Sequence, residues 1–365
     1  MQSADVKIFN QALIIVMLAG FGSTHAHAAI ARYVIHISVD GLRADAITTL
    51  GETQLPSFFR LRDEGAFTDN ARTDANYTVT LPNHTTQITG RPVDGTNGHN
   101  YTRNRMPGSS TSLHRMKGGY VSSVFDVIHD HGLSTAVFAS KPKFVLYEQS
   151  YDTANGAVDL TGSDDGRNKI DVFEINVDTR DLVDEFLSAM APNPINYTFM
   201  HFRDPDTAGH TSQWDLSFAS GYLNSVIEVD HLIGKILDAI QSSTSLRDQT
   251  VVIVTADHGG RIGTTTHQPA HSRGNHTIPF YVWGGDTTAG VDLYALNPNT
   301  RADPGSSHPT YDHDPQPIRN GDAANLSLEL LGLTANPGST INARQDLNII
   351  QIEAAAYQNS QHLAE

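Results

Sequence analysis

The sequence predicts an α/β protein built on a mostly parallel central sheet with helices on both faces, and three observations carry that reading. Short β-rich runs alternate with stretches of helical periodicity. Most of the runs are apolar nearly throughout, without the in-out alternation of a half-exposed strand, which marks strands buried on both faces. Asp and His collect just after several of them, and in open α/β sheets ligands bind beyond the carboxyl ends of the strands.

In chain order, strands are expected at Tyr33 to Val39 (YVIHISV), Thr135 to Ala139 (TAVFA), Tyr197 to Phe202 (YTFMHF), Val251 to Ala256 (VVIVTA) and Pro279 to Trp283 (PFYVW). Helices are expected at Pro56 to Gly65, Val121 to Gly132, Thr179 to Ala189 and Leu216 to Ile240. The last places Tyr222, Leu223, Val226, Ile227, Leu232, Ile233, Ile236, Leu237 and Ile240 on one stripe, mostly three or four residues apart, which a core-facing amphipathic helix explains. Asn97 to Lys117, Arg261 to Asn275 and Asp286 to Ile318 are rich in Gly, Ser, Thr and Pro, and are expected to be loop-rich insertions forming the walls or lid of a site.

A chain of 365 residues, 39% hydrophobic and 18% charged, buries a large core. Near its start Lys7 precedes the apolar run Ala12 to Phe21 and then Ala26-His27-Ala28, the pattern of a signal peptide spanning 1–28. About ten apolar residues are too few for a bilayer-spanning helix, so the expectation is a periplasmic or secreted protein with no membrane anchor after cleavage. The remainder, 29–365, is then expected to be one catalytic domain. The chain has no cysteine, which removes both thiol chemistry and disulfides. Its net charge of −16 argues against a nucleic-acid polymer as partner.

Eighteen histidines against 24 Lys and Arg suggest metal binding, and spacing sharpens this. The ligand candidates are Asp40 after the first strand, Asp206 and His210 in DPDTAGH, Asp257 and His258 after VVIVTA, and one of His267, His271 and His276 in THQPAHSRGNHTIPF. DPDTAGH is read as a loop whose glycine lets two side chains converge. Zinc takes imidazole and carboxylate ligands, and six side chains divide into two sets of three, each with an open position. Taken singly, an Asp at a strand end also caps helices and a His beside glycine is an ordinary turn residue. Several strand ends presenting such residues together do not follow from capping.

Four motifs in order, VDG at Val39 to Gly41, TLPNH at Thr80 to His84, PDTAGH at Pro205 to His210 and ADHGG at Ala256 to Gly260, resemble the alkaline phosphatase superfamily, most closely its nucleotide pyrophosphatase/phosphodiesterase branch. The resemblance implies an alkaline-phosphatase-like fold and two Zn2+, other divalent metals being admitted. One ion would be held by Asp206, His210 and His271, chosen over His267 and His276, and the other by Asp40, Asp257 and His258 with Thr80 beside it. It further implies hydrolysis of phosphodiester or nucleotide pyrophosphate bonds, with Thr80 as nucleophile and a phosphothreonine intermediate. Asn104 in HNYTRN, with Asn100 as competitor, resembles the position whose amide assists a phosphate oxygen.

A threonine hydroxyl is a poor nucleophile at neutral pH without a base or a metal. Thr80 stands where a turn enters a helix, and free N–H groups at such a start suit a phosphate oxygen. Thr78, Thr85, Thr86 and Thr89 are read as turn and packing residues. The expected partner is a small phosphate ester or nucleotide. Two alternatives stand beside this: a zinc phosphomonoesterase or phosphonate hydrolase of the same superfamily, for which Lys141, Lys143 or Arg103 would supply a cationic clamp, and a non-catalytic metal- or phosphate-binding protein.

Overall fold

The computed structural model describes residues 29–159, 166–191 and 193–351; the expected signal peptide lies outside them. The strands are β1 (Tyr33–Val39), β2 (Ala66–Arg72), β3 (Thr135–Ala139), β4 (Val172–Ile175), β5 (Tyr197–Phe202), β6 (Thr250–Thr255), β7 (Thr277–Gly284) and β8 (Val291–Asp292). The helices are α1 (Ala44–Leu50), α2 (Pro56–Asp63), α3 (Thr80–Thr89), α4 (Leu113–Lys117), α5 (Val124–Asp130) and α6 (Val145–Tyr151). They continue with α7 (Thr179–Met190), α8 (Asp204–Ser212), α9 (Gly221–Ser242), α10 (Arg273–His276), α11 (Leu293–Leu296) and α12 (Asp322–Leu330).

The strands form one sheet in the order β4-β3-β5-β1-β6-β7-β2-β8. β7 is antiparallel to both its neighbours, and all other pairings are parallel. The PFYVW run was expected to behave like the rest. Its continuous apolarity reports burial on both faces, which it has, and says nothing about direction. β5, β1 and β6 lie side by side at the centre, so the residues following their carboxyl ends meet in one crevice.

Helices cover both faces. α3, α5 and α12 pack together on one, and α9 lies against α1, α2, α7 and α8 on the other. The apolar stripe of α9 is buried from Tyr222 to Ile240 except for the half-buried Ile227, but the helix begins at Gly221 rather than Leu216, because Ser220 caps it by accepting from Leu223 N–H. On the same helix, buried Asp230 accepts from the Ser57 and Phe58 N–H groups and so satisfies the start of α2.

One local expectation changes. DPDTAGH is not a loop but α8, with Pro205 in its first turn, so Asp206 and His210 share a face through i,i+4 spacing. The helix expected to open at Thr80 is α3, TLPNHTTQIT, buried along its whole length and ended by Gly90 at φ 63°. Its threonines survive burial by bonding back one turn: Thr85 to Leu81 O (2.8 Å), Thr86 to Pro82 O (3.3 Å) and Thr89 to Thr85 O (2.7 Å). Among the described residues no helix is long and apolar enough to cross a membrane.

Candidate active site

Asp40, Asp206 and Asp257 stand just beyond the ends of β1, β5 and β6, with Asp206 on the first turn of α8. The backbone ties them together: Asp206 N–H donates to Asp40 O (2.9 Å), and Gly41 N–H donates to Asp257 Oδ1 (3.1 Å). Gly41 is required at this crossing, because its φ is 73° and an added Cβ would lie 2.7 Å from the Asp206 Cα.

Two groups with metal-ligand geometry result, Asp40, Asp257 and His258 in one and Asp206, His210 and His267 in the other, each with its ligand atoms within 4.8 Å of one another. The third place in the second group belongs to His267, not His271. His271 is exposed, whereas His267 is buried and held by Thr78 twice over: the Thr78 hydroxyl donates to His267 O (2.6 Å), and His267 Nδ1 donates to Thr78 O. His276 turns away, donating from Nδ1 to Ala270 O (2.9 Å) and stacking on His308.

All three histidines are oriented in one way. Nδ1 of His258 donates to Gly259 O (2.8 Å), that of His210 to Thr265 O (2.7 Å), and that of His267 to Thr78 O, so each Nε2 faces the carboxylates. Burial, with His267 adding to it, pushes the His258 pKa down to about 3, so its ring is neutral and Nε2 carries a lone pair. That lone pair faces Asp257 Oδ2 at 3.1 Å and Asp40 Oδ1 at 3.5 Å. None of these three buried atoms has a hydrogen-bond partner, and neither do Thr80 Oγ1 and Asp206 Oδ1. Acceptors turned toward one another in a dry site repel unless a cation lies between them, so the donor set fits a divalent metal.

The outer atoms of the same carboxylates are fully used. Asp40 Oδ2 accepts from His201 Nε2 (2.9 Å) and Lys141 Nζ (2.6 Å), and the same ammonium reaches Asp206 Oδ2 (2.6 Å). Burial alone would favour the neutral acid, but Lys141 and His201 hold the Asp40 carboxyl well below the usual range. Asp257 is pushed up instead, by burial and then by Asp40 and Asp206. His210 is the exposed member, its side chain 43% accessible, and its pKa is raised, chiefly by Asp206.

Thr80 opens α3, whose His84 Nδ1 one turn on lies 3.5 Å from Asp257 Oδ2. The Leu81 N–H donates to Asn104 Oδ1 (3.1 Å), and Lys143 Nζ lies 2.9 Å from the same oxygen, so Asn104 is brought to the helix start. Asn100, at φ 59°, stands elsewhere in that loop, its N–H bonded to Val93 O. Of the three expected wall segments, Asn97 to Lys117 brings Asn104 and Arg261 to Asn275 brings His267. Asp286 to Ile318 instead buttresses the approach to α3, where His308 donates to Asp74 O (3.1 Å) and Tyr311 to Asp74 Oδ2 (2.9 Å).

The sequence reading missed His201, Thr78 and Asn320. Asn320 Nδ2 lies within 3.3 Å of Asn83 Oδ1, Ala256 O and Asp257 O, joining α3 to the end of β6. For Lys141 a signal existed, since it follows β3 by two residues and the strand-end rule reaches it.

A family model described as type I phosphodiesterase / nucleotide pyrophosphatase matches residues 34–271. No curated protein sequence matches the chain. Among solved structures, an inactive variant of murine ectonucleotide pyrophosphatase / phosphodiesterase 5 in complex with AMP is 18% identical, with 87% of this chain and 99% of that one covered and a TM-score of 0.56. A putative sulfatase from Bacteroides fragilis (16% identity, 88% and 79% covered, TM-score 0.54) and an alkaline phosphatase superfamily protein from Vibrio parahaemolyticus (16%, 86% and 70%, 0.55) have the same fold.

Proposed function

The chain belongs to the type I phosphodiesterase / nucleotide pyrophosphatase family and is a phosphoric ester hydrolase of that kind, and from this premise we propose that it is exported and works through a phosphothreonine on Thr80, with two zinc ions held by the two groups of Asp and His. One observation carries the nucleophile. Of the five threonines between Thr78 and Gly90, four have a hydroxyl bonded within the protein, and only Thr80 Oγ1, buried at the helix start, has no partner.

Bound zinc would stabilise the Thr80 alkoxide and offset the charge on the attacking and leaving oxygens. The chain's own groups do the rest. Thr80 Oγ1 bonds to phosphorus as the ester or anhydride P–O bond breaks and its electron pair leaves with the alcohol or nucleotide. The Leu81 N–H and the Asn104 side chain stand at the helix start, where a non-bridging phosphate oxygen is best received. Water then attacks the phosphothreonine, returning the threonine hydroxyl and releasing phosphate or a phosphate monoester. The AMP bound by the murine relative supports a nucleotide as one substrate class.

The lysines favour a second reading. Lys141 Nζ spans Asp40 and Asp206, and Lys143 Nζ lies 2.9 Å from Asn104 Oδ1, so two ammonium groups stand beside the proposed site, which suits the doubly charged group of a monoester or phosphonate. Turnover of bis-p-nitrophenyl phosphate against p-nitrophenyl phosphate separates the readings, and faster monoester cleavage would displace the diesterase. Thr80→Ala is expected to lose at least about 10³-fold in kcat on either substrate. Wild-type activity in that variant would remove Thr80 from the mechanism.

A further inference from the structure

Trp214 is fully buried between α8 and α9, in a loop where Gln213 (φ 59°), Trp214 itself (48°) and Ala219 (60°) are all left-handed without being glycine. Such residues persist where their surroundings force them. Here two glycines make the slot. A Cβ added to Gly209 of α8, or to Gly260 after His258, would come closer to the indole than the 3.0 Å that Cβ contacts respect. Gly209 in PDTAGH therefore serves packing rather than chain flexibility.

What fills that slot touches the site. The indole meets the His210 ring edge-on at 5.2 Å and the His267 ring at 6.1 Å, and those two rings are 5.3 Å apart. Its Nε1–H is buried without a partner, so no hydrogen bond explains its placement. His258 makes no such contact with it; that ring stacks on His267 at 3.7 Å and is held by Gly259 O.

We propose that Trp214 is a positioning residue for the Asp206, His210 and His267 group alone: the indole fixes both imidazole planes so that their Nε2 atoms converge beside Asp206. The inference rests on the metal-binding reading above. The affinity of this one metal position then depends on the strained loop from Gln213 to Ser220, while the Asp40, Asp257 and His258 position does not.

The test titrates the full chain, stripped of metal, with Co2+ by calorimetry and tryptophan fluorescence, for wild type, Trp214→Phe and Gly260→Ala, with thermal unfolding of each metal-free protein to confirm folding. Open-shell Co2+ quenches a nearby indole. The only other tryptophan, Trp283, pairs with Val252 and is bonded to Glu64, so it sits five strand residues, roughly 17 Å, short of Asp257. Wild type is expected to bind two equivalents, one of them strongly quenching. In Trp214→Phe one equivalent weakens by about 10- to 100-fold, the usual loss when an outer partner of a metal ligand goes, and the quenching disappears. Gly260→Ala displaces the indole and is expected to weaken the same single equivalent with Trp214 still present. Wild-type affinity at both positions in both variants, or equal weakening at both, overturns the inference. A wild type that takes up no metal overturns instead the reading on which it rests.

Discussion

Thr78 and Thr80 are two residues apart and differ in everything that matters. Thr78 spends both its hydroxyl and its carbonyl on His267, while Thr80 keeps its hydroxyl free. This pairing decides the third histidine, and it predicts that His267→Ala loses one bound metal equivalent, by elemental analysis, and at least about 100-fold in turnover. His271→Ala is expected to stay within about twofold of wild type on both measurements. That Asp40, Asp206, His210, Asp257 and His258 come together was legible in the sequence, because strand ends and short motifs are local signals. The choice among His267, His271 and His276 was not, since it turns on a contact across 189 residues. His201 was hidden for a related reason: it lies inside β5, where its apolar neighbours give no hint that its ring reaches Asp40.

At the scale of elements, strands read best. Three of the five expected strands have the observed bounds, because their apolarity is continuous and their ends are punctuated. The short edge strands β4 and β8 and the polar β2 escaped, since AFTDNAR and a two-residue strand carry no pattern above their surroundings. α8 was obscured by Pro and Gly, poor helix formers, and its Thr211 and Ser212 hydroxyls bond back to Thr207 O and Ala208 O as those of α3 do within their own helix. On α12, burial, with Asp346 adding and Arg301 opposing, pushes the Glu329 carboxyl up to about 8 from an ordinary 4.5, and its Oε2 has no partner. Between those values the folded chain holds a proton that the unfolded chain has lost, so stability falls as pH rises. Glu329→Gln is therefore expected to stabilise the protein by about 2 kcal/mol at pH 8 and to change little at pH 4, measured by denaturant unfolding at both.

For the molecule as a whole, three carboxylates meet at the centre of the sheet in a chain of net charge −16. Lys141 bridges two of them, and Asp257 is left pushed up by burial and then by the other two. Metal removal should therefore be felt globally. Chelator is expected to lower the unfolding temperature by several degrees, since metal at about 100 times its Kd contributes about 2.7 kcal/mol per site, and added Zn2+ should restore it. An unfolding temperature unmoved by chelator would mean that the two groups do not hold metal.

The single reversed strand has a consequence of its own. β6 leaves the sheet at the site and β7 re-enters beside it at the same end, so the chain between them, which carries Asp257, His258 and His267, is a hairpin with both feet planted on the rim. A parallel neighbour would have needed a crossover spanning the whole sheet. Lengthening a loop whose ends are already fixed costs only about 0.6 kcal/mol per doubling. The mostly exposed stretch from Gln268 to Arg273 can thus be extended with little strain on the scaffold, whereas Asn275 and His276 after it are buried and anchored, which makes that stretch the natural cassette for trying new contacts to a leaving group.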